Sequence, residues 1–396
     1  MSLLRVCVVS PGELPVPATR GGAIETLIMS LVTCNEKKHQ LDLTVTSVAD
    51  SEAQQQAARY RNTRFLFIKQ SARIPDTIYH YWQAVWKRVF PKSHIMSSLY
   101  YRKVLKAIRG NHYDAVIFEG GESYGFAAYN RVFHGKLWYH VHATPVRRTP
   151  SATFNDVLAI SEYVAQQWSK WCTDHNQHLH VLHNGINTAA FKQTLTIGER
   201  AQLRAQYGFS DNDFVVMYCG RLFSGKGVKE LVEAVVSIKD PNIKLLVVGY
   251  AHDTDAKRYE QEIKDIAQSA GDRICFTGYV PNADVWRYYN ASDVQVIPSL
   301  WEEGAGNICI EGMAAGLPII ATRSGGMPEY LAPECSILVD KGPQLVHDLA
   351  VAITVLQKDP QRCEAMSAFA RKHAELFSED AYYTAYVRLL NTFIQH

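Results

Sequence analysis

Short apolar runs alternate with amphipathic stretches along the first half of the chain. Residues 22–34 carry Ile24, Leu27, Ile28 and Leu31 at the spacing of one helical face, so they predict a helix. The runs typical of buried strands are residues 4–10, 41–48, 115–119, 136–142 and 156–160. Because strands separated by helical stretches favour parallel pairing, this alternation predicts an α/β fold with helices on both faces of a mostly parallel sheet.

The same alternation restarts after residue 210. Strands are predicted at 214–219, 243–249, 274–277, 294–297 and 318–321, and helices at 228–238, 257–270 and 285–291. The restart indicates two doubly wound, Rossmann-like units, joined near residues 183–198, where Asn-Gly and an irregular stretch interrupt the period. We therefore predict domains over residues 1–190 and 191–380, followed by an amphipathic helix over about 381–396.

Composition and charge narrow the class of protein. The 396 residues include 41 Lys and Arg against 39 Asp and Glu, and this small excess predicts no nucleic-acid partner. No apolar run reaches the ~18–20 residues of a membrane-spanning helix, and residues 1–10 lack the pattern of a signal peptide. The eight cysteines contain no C-x-x-C pair and are too sparse for a disulfide scaffold, which favours a cytoplasmic location.

Residues 72–109 form the one markedly basic and aromatic segment. Asp76 is its only acid, and aromatic side chains such as Trp82 and Trp86 are interleaved with eight Lys or Arg. Such a segment fits an anionic membrane surface or a phosphate-bearing substrate, and it equally fits helices that pack through aromatic side chains with their cations in solvent. The first interpretation predicts a peripheral contact with the inner face of a membrane.

Residues 298–321 carry the strongest chemical signal. After a predicted strand, a loop holds Glu303, Gly304 and Gly306, and a helix then runs from about Asn307 until Gly316 and Pro318 end it. Glycines let a ligand approach the backbone, and the helix N-terminus offers unpaired N–H groups with about half a positive charge, which suits phosphate. Glu311, about 6 Å along the helix axis from Asn307, is placed to bind ribose hydroxyls.

A second element, residues 220–227, follows the predicted strand at 214–219. It reads GRLFSGKG, with Arg221 and Lys226 on either side of a glycine-containing turn that opens a helix. Two cations beside a helix N-terminus suit a diphosphate leaving group. The spacing is not that of a P-loop.

These two segments resemble the signature motifs of retaining glycosyltransferase family 4, which has the GT-B fold. The family's two glutamates separated by seven residues match Glu303 and Glu311, and its G-R-L-x-x-x-K-G motif matches residues 220–227. The resemblance covers nearly the whole chain, and its further matches are Gly21-Gly22, His142, Ser161-Glu162, Asn184-Gly185 and Gly278. Ala305 and Asn307 depart from the aromatic and aliphatic residues of many members, which leaves the donor sugar open.

The resemblance implies two Rossmann-like domains facing across a cleft, the first binding the acceptor and the second the nucleotide sugar, with the last helix packing back on the first. Arg221 and Lys226 would neutralise the diphosphate, Glu311 would bind the ribose, and Glu303 and His142 would contact the sugar. The remaining donor-binding residues that it implies are Gly22, Gly220, Gly304, Ala305, Gly306, Asn307 and Ile308.

The implied reaction moves a hexose, with retention, from a nucleotide sugar to an acceptor. We expect a UDP-sugar as donor and a glycan or lipid-linked molecule as acceptor, in the synthesis of bacterial cell-surface polysaccharide. No cofactor and no metal are expected, because two cations and a helix dipole supply the positive charge. Electrostatic stabilisation of the leaving phosphate would be the main catalytic contribution.

Other residues invite competing interpretations. His140 and His142 point to one side of a strand and could hold a metal, but the sequence places no third ligand beside them. Glu302 replaces Glu303 if the register is shifted by one residue. Other candidates for metal binding are His175, His178, His180 and His183 and the D-x-D patterns at 211–213 and 253–255. Glu119 and Glu122 are candidates for lining the acceptor site. For each of these residues, an ordinary role in a loop or at the surface is the alternative.

Rival functions are also open. A nucleotide-sugar epimerase or a sugar phosphate synthase shares the fold, and a catalytically inactive structural relative would be expected to lack one of the four motif side chains. An NAD(P)-dependent oxidoreductase requires G-x-G-x-x-G after the first strand, and residues 10–22 do not supply it. A serine hydrolase lacks support because no G-x-S-x-G surrounds Ser161.

Overall fold

The computed structural model describes residues 3–69, 99–121, 126–145, 153–172 and 177–394. The chain forms two compact units: residues 1–185 together with 379–396, and residues 186–378. The segment 70–98, which holds most of the basic and aromatic stretch, lies outside the described residues, as do His175 and Glu122.

The first unit is built on a seven-stranded parallel sheet with the order β3-β2-β1-β4-β5-β6-β7. Its strands are β1 Leu4–Val9, β2 Leu41–Val48, β3 Thr63–Ile68, β4 Ala115–Glu119, β5 Leu137–Val141, β6 Asp156–Ala159 and β7 His178–Val181. The strand order reverses between β1 and β4. After β1 the chain continues towards one edge of the sheet, and after β4 it continues towards the other edge. Ligands of doubly wound sheets bind at such a switch point.

The described helices of the first unit are α1 Ala23–Lys38, α2 Ser51–Ala57, α3 Leu99–Ile108, α4 Ala127–Val132, α5 Glu162–Trp171 and, from the end of the chain, α14 Glu379–Ile394. Helix α14 packs against α1 through a mixed apolar and polar surface. Tyr383 Oη donates to Asn35 Oδ1 at 2.7 Å, and Lys38 pairs with Asp380 at 2.6 Å. The buried face of α1, which includes Leu27 and Leu31, completes the core with Tyr386 of α14.

The second unit repeats the architecture with a six-stranded parallel sheet in the order β10-β9-β8-β11-β12-β13. Its strands are β8 Phe214–Cys219, β9 Ile243–Val248, β10 Ile274–Gly278, β11 Val294–Ile297, β12 Ile319–Thr322 and β13 Ser336–Val339. Its switch point lies between β8 and β11. The loops after these two strands hold both motifs that the sequence singled out.

The α-helices of the second unit are α6 Thr188–Phe191, α7 Ile197–Ala205, α8 Val228–Ser237, α9 Thr254–Ala267, α10 Val285–Ala291, α11 Asn307–Ala315, α12 Leu345–Lys358 and α13 Pro360–His373. Short 3₁₀ helices occupy Ser224–Lys226, Gln268–Arg273, Met327–Tyr330 and Ala374–Phe377. Apolar clusters cover both faces of the sheet, as its continuous hydrophobic strands require.

All ten strands predicted from the sequence are confirmed, each within one residue at either end. Three further strands, for which the sequence analysis gave no bounds, all lie at sheet edges: β3, β7 and β13. The helix predicted at 257–270 is wrong at both ends. It begins at Thr254, because the Asp253 side chain accepts from Ala256 N at 2.8 Å and caps it, and after Ala267 the chain enters a 3₁₀ turn in which Gly271 has φ 62°.

Candidate active site

The two motifs of the second unit meet because β8 and β11 are neighbours. Their loops leave the same edge of the sheet, and the amides of Leu300 and Trp301 donate to Gly225 O at 2.9 and 2.8 Å. Gly227, with φ 66°, lies so close to the other loop that a Cβ there would be 1.9 Å from Pro298 O. Only glycine fits at this crossing, which explains why the first motif ends on one.

Lys226 and Glu303 form an ion pair across the two loops. Lys226 Nζ lies 2.6 Å from Glu303 Oε1, and the hydroxyl of Ser299 donates to the same oxygen at 2.6 Å. Ser299 is fully buried, whereas the side chains of Lys226 and Glu303 remain about one-fifth exposed. One carboxylate oxygen therefore takes both contacts, and the edge of the pair is open to solvent.

Arg221 is exposed at the start of the first loop, where Tyr218 Oη donates to its carbonyl at 2.8 Å. Its guanidinium carbon lies 5.6 Å from the centroid of the Phe223 ring, and Lys226 Nζ lies 5.9 Å from the same centroid. Both cations of the motif thus contact the same aromatic ring, as cation–π attraction favours.

Helix α11 begins beside this pair without a side-chain cap. Gly306 is its N-cap residue, and no acidic side chain lies in the first turn. Gly306 is buried against the Tyr330 ring, with a Cβ position 3.0 Å from Tyr330 Cβ. The positive end of the helix dipole is therefore not neutralised by an acidic side chain in its own first turn. Gly304, Ala305, Asn307 and Ile308 surround this start, and Ala305 and Ile308 are partly buried against the core.

Glu302 and Glu303 point to different partners. Glu302 is exposed, accepts from Gly325 N at 2.6 Å and pairs with Lys341. The backbone of Glu303 is held by the same turn, because Gly326 N donates to its carbonyl at 2.7 Å. The fold thus places Glu303, rather than Glu302, beside Lys226.

Glu311 lies one turn into α11 and is bound by a tyrosine that sequence reasoning missed. Tyr289 Oη, on α10, donates to Glu311 Oε2 at 2.8 Å. Burial raises the pKa of Glu311 to about 7, and the Tyr289 hydrogen bond opposes that rise. Gln295 of β11 extends the chain, since its Nε2 lies 3.3 Å from Tyr289 Oη. The sequence holds no spacing signal that links residues on three different elements.

In the first unit, His142 follows directly after β5 and lies near the switch point. His140 Nδ1 and His142 Nε2 lie 2.9 and 2.8 Å from one oxygen, Glu119 Oε2, at the end of β4. Glu119 is thus a third side chain beside the two histidines that could offer a ligand atom to a metal, which the sequence did not reveal, and the three possible ligand atoms lie within 4.8 Å of one another. Burial alone would raise the pKa of Glu119, but the neighbouring histidines outweigh it and lower the pKa to about 2.

Gly22, the other candidate of the first unit, is the N-cap residue of α1 with φ 103°. A Cβ at residue 22 would lie 2.1 Å from Glu25 Oε2, so the Glu25 carboxyl folds back over this glycine. Burial raises the pKa of Glu25. Gly120, after β4, packs between helix α1 and His142, because a Cβ at residue 120 would lie 3.3 Å from Ile24 Cδ1 and 3.4 Å from His142 Cδ2.

Several other candidates have structural roles. Asp253 caps α9, and Asp213 accepts from Ser210 N at 2.6 Å in the turn before β8. His178 and His180 both contact Asp156 Oδ1, at 3.2 and 2.9 Å, at the edge of the first sheet. Ser161 caps α5 by accepting from Val164 N. Among the described residues, no helix is long and apolar enough to cross a membrane.

Residues 199–373 match the family model described as Glycosyl transferases group 1. The matched segment contains both motifs and most of the second unit. Over 99% of its length the chain is also 23% identical to a putative glycosyltransferase of Bacillus subtilis, YtcC, of which the alignment covers 92%.

Two further proteins resemble the chain over its length. The spore coat protein SA of Bacillus subtilis is 23% identical over 94% of this chain and 95% of its own. The crystal structure of Anabaena HepE with UDP superposes with a TM-score of 0.74 and 18% identity, over 99% of this chain and all of that one. The same Anabaena protein was crystallised with UDP-glucose. The two parallel sheets, together with solved structures that include HepE and the glycosyltransferase WaaG, establish the GT-B fold.

Proposed function

We propose that the protein is a retaining glycosyltransferase that moves a hexose from a UDP-sugar to a glycan or lipid-linked acceptor. The observation that carries this proposal is the meeting of Lys226, Glu303 and the uncapped start of α11 at one switch point. UDP as the nucleotide is supported by the HepE crystal structures, which hold UDP and UDP-glucose.

The geometry supports catalysis by charge stabilisation. The bond between the anomeric carbon and the diphosphate oxygen breaks, and UDP leaves with the electron pair. Lys226, Arg221 and the α11 N-terminus stabilise the charge that develops on the phosphate. The acceptor oxygen bonds to the same face of the sugar, and its proton passes to the departing phosphate oxygen. No protein nucleophile is required in this scheme.

Glu303 and Glu311 bind different parts of the donor in this proposal. Glu303 Oε2 receives no hydrogen bond from the described residues, so it can accept one from a sugar hydroxyl, while Oε1 stays with Lys226 and Ser299. Glu311 accepts from the ribose hydroxyls beside Tyr289. Gly220, Gly304, Ala305, Gly306, Asn307 and Ile308 supply backbone contacts. In the first unit, His142 and Gly22 contact the sugar and the phosphates, and that unit binds the acceptor.

The acceptor is proposed to belong to cell-surface polysaccharide synthesis and to be reached at the inner face of a membrane. In the described part of the basic segment, Arg102, Lys106 and Arg109 are exposed and share one side of α3 and its first following turn. Such a row of cations attracts an anionic lipid surface. No metal is proposed to take part.

The test is a donor screen with product analysis. The purified protein is incubated with UDP- and GDP-hexoses and a panel of glycan and lipid-linked acceptors, with and without EDTA. We expect transfer from a UDP-hexose, an unchanged rate in EDTA and, by NMR, an anomeric configuration equal to that of the donor. An inverted product, a requirement for metal or exclusive use of GDP-sugars would each contradict part of the proposal.

Two rival functions give different results in the same screen. The similarity to spore coat protein SA favours a structural protein without activity as one rival. Such a protein would bind no donor and transfer no sugar. A nucleotide-sugar epimerase would convert the donor in the absence of any acceptor. Because Arg221, Lys226, Glu303 and Glu311 are all present, we expect transfer.

A further inference from the structure

An exposed tryptophan lies on one of the two loops that form the candidate active site. Trp301 follows β11, stands two residues before Glu303 and is 60% exposed. Among the described residues, it is the one large apolar side chain that is exposed on a switch-point loop. Leu300 beside it packs against the core instead. A single exposed apolar residue is ordinary by itself, so its place and its rigidity decide what Trp301 can do.

The main chain of Trp301 is held on both sides. Its amide donates to Gly225 O at 2.8 Å, which ties it to the first motif. Its carbonyl accepts from the hydroxyl of Ser324, which is fully buried in the loop after β12. The next residue, Glu302, accepts from Gly325 N at 2.6 Å. A fixed backbone therefore carries the indole while its ring remains in solvent, and little backbone freedom is left to lose when a ligand binds.

Gly225 also places Trp301 next to the cations of the motif. A Cβ at residue 225 would lie 3.4 Å from Trp301 Cβ and 2.7 Å from Phe223 Cε2, so the two aromatic side chains flank this glycine. The Phe223 ring is in turn contacted by Arg221 and Lys226. The Trp301 side chain thus starts beside the loop that is proposed to hold the donor diphosphate.

The exposure of these side chains favours the acceptor as the molecule that Trp301 meets. Lys226 and Glu303 are about one-fifth exposed, and the proposed function assigns them to the diphosphate and to a donor hydroxyl. Trp301 is far more exposed, so its ring stays open to a molecule that arrives after the donor. An indole has a flat apolar face with one N–H at its edge. A sugar ring has an apolar face of C–H groups with hydroxyls at its rim, which is complementary.

We propose that Trp301 binds the acceptor, and that the face of its indole packs against the C–H face of the sugar ring that receives the hexose. The inference rests on the proposed function and deepens it, because it requires the receiving end of the acceptor to be a sugar rather than a lipid phosphate. Gly225 and Ser324 are positioning residues that fix the indole through the main chain. The proposed function gives the acceptor to the first unit, and this contact adds one from the second.

An anionic membrane surface is the competing partner, because tryptophan is enriched at membrane interfaces. The surroundings of Trp301 disfavour that partner. Glu302 follows directly and is exposed, and Glu303 lies two residues further along the chain. Two carboxylates beside the ring repel an anionic lipid surface, whereas an uncharged sugar ring meets no such repulsion.

The first experiment observes the ring directly by ¹⁹F NMR. The full-length protein, which has seven tryptophans, is labelled with 5-fluorotryptophan, and the Trp301 signal is assigned by its loss in Trp301→Phe. Methyl glycosides of common hexoses are then titrated into the UDP-saturated protein. We expect at least one glycoside to shift the Trp301 signal while glycerol at equal concentration does not. A Trp301 signal that no glycoside moves would overturn the proposal. This readout needs no turnover, so it succeeds or fails separately from the proposed function.

The second experiment separates the acceptor from the donor. In Trp301→Ala we expect KM for the acceptor found in the donor screen to rise about tenfold, as for the loss of a stacked aromatic ring, while Kd for the UDP-sugar stays within about twofold. Trp301→Phe keeps a flat ring and should recover most of the affinity. Val351→Ala, which shortens an exposed apolar side chain on α12, is the control. An unchanged acceptor KM, a rise in the donor Kd alone, or a loss of binding to anionic vesicles in Trp301→Ala would each overturn the proposal.

Discussion

Lys226 Nζ and Glu303 Oε1 are 2.6 Å apart although the two residues are separated by 77 positions in the chain. Each belongs to a different motif, and the parallel neighbours β8 and β11 bring them together. The pair holds a cation and a carboxylate in place before any donor binds. Ordering two flexible side chains in advance reduces the entropy that substrate binding and the reaction would otherwise have to overcome.

Replacing Lys226 by alanine should abolish most of the turnover. Removing one preorganised group that stabilises a developing negative charge typically lowers kcat by ~10²–10³. The measurement is kcat with the UDP-sugar found in the screen, with circular dichroism to check folding. Lys229→Ala is the matched control, because Lys229 lies one turn away and pairs with Glu262. An unchanged kcat in Lys226→Ala would contradict the proposal that Lys226 stabilises the leaving diphosphate.

The neighbouring glutamates should respond differently to the same change. Glu303→Gln keeps the shape but removes the charge that faces Lys226, so we expect kcat/KM to fall about a hundredfold, within the range of lost electrostatic groups. Glu302→Gln alters an exposed contact with Lys341 and should change kcat/KM less than threefold. Comparable losses in both variants would mean that the register of the acidic pair is misassigned.

Ser299→Ala should act on Glu303 without touching the substrate. It removes a buried hydroxyl that donates to Glu303 Oε1, and hydrogen bonds to charged groups contribute about 1.5–3 kcal/mol to stability. We expect a loss of stability of that order in urea unfolding and a several-fold rise in KM for the donor. Ser237→Ala is the control, because Ser237 donates only to a helix carbonyl, Ala234 O. Ser299→Ala with wild-type KM would show that Lys226 alone holds Glu303.

Nucleotide affinity should depend on pH through Glu311. Its pKa is about 7 in the folded protein, so the carboxyl changes from neutral to ionised between about pH 6 and 8. The ionised form is the better acceptor for ribose hydroxyls, and we expect UDP affinity to rise with pH across this window. Titration calorimetry of wild type and Glu311→Gln separates this effect from the protonation of UDP itself, which both share. Parallel pH profiles would contradict the assignment.

The same carboxyl should make stability depend on pH with the opposite sign. Between its ordinary pKa of 4.5 and about 7, the folded protein binds more protons at this site than the unfolded chain does. Folding stability from Glu311 therefore falls as pH rises through this window. Glu311→Gln should show a flatter stability profile in urea unfolding from pH 5 to 8. A steeper profile in the variant would contradict the raised pKa.

Charge reversal at Arg102, Lys106 and Arg109 should weaken binding to anionic vesicles. Sedimentation with phosphatidylglycerol-rich liposomes is expected to lose most of the bound fraction, and the wild-type fraction should fall as salt increases. Reversal of Lys257 and Arg258, exposed cations on α9, is the control. Unchanged sedimentation in the triple variant would contradict a contact of these three cations with the membrane surface.

Much of the architecture was predictable because buried parallel strands carry continuous hydrophobic runs. Strand β8, FVVMYC, and strand β9, IKLLVV, are recognisable without any neighbour, since their composition differs from that of the helices around them. The edge strand β13, SILV, was not predicted, and it pairs with β12 along one side only. Helix ends also depend on local capping, and the start of α9 shows how one aspartate displaces a boundary.

In the candidate site, too, the sequence identified some residues and missed others. Candidate residues that belong to one motif, such as Glu303 and Glu311, were identified from their spacing in the sequence. Glu119 and Tyr289 were not found as partners of His142 and Glu311, because they come from other strands and helices and carry no pattern of their own. Their contacts follow from strand order and from the packing of α10 beside α11.

The sequence alone was therefore enough to predict the two βα alternations, the loops at the switch points and the charged groups that these loops carry. These features depend on hydrophobic periodicity and on spacing over short stretches of chain. Folding alone decided which oxygen Lys226 faces, which ring nitrogens of His140 and His142 contact Glu119 and how far the pKa of Glu311 rises. These properties depend on distance and burial between residues remote in sequence, and only a packed interior sets both.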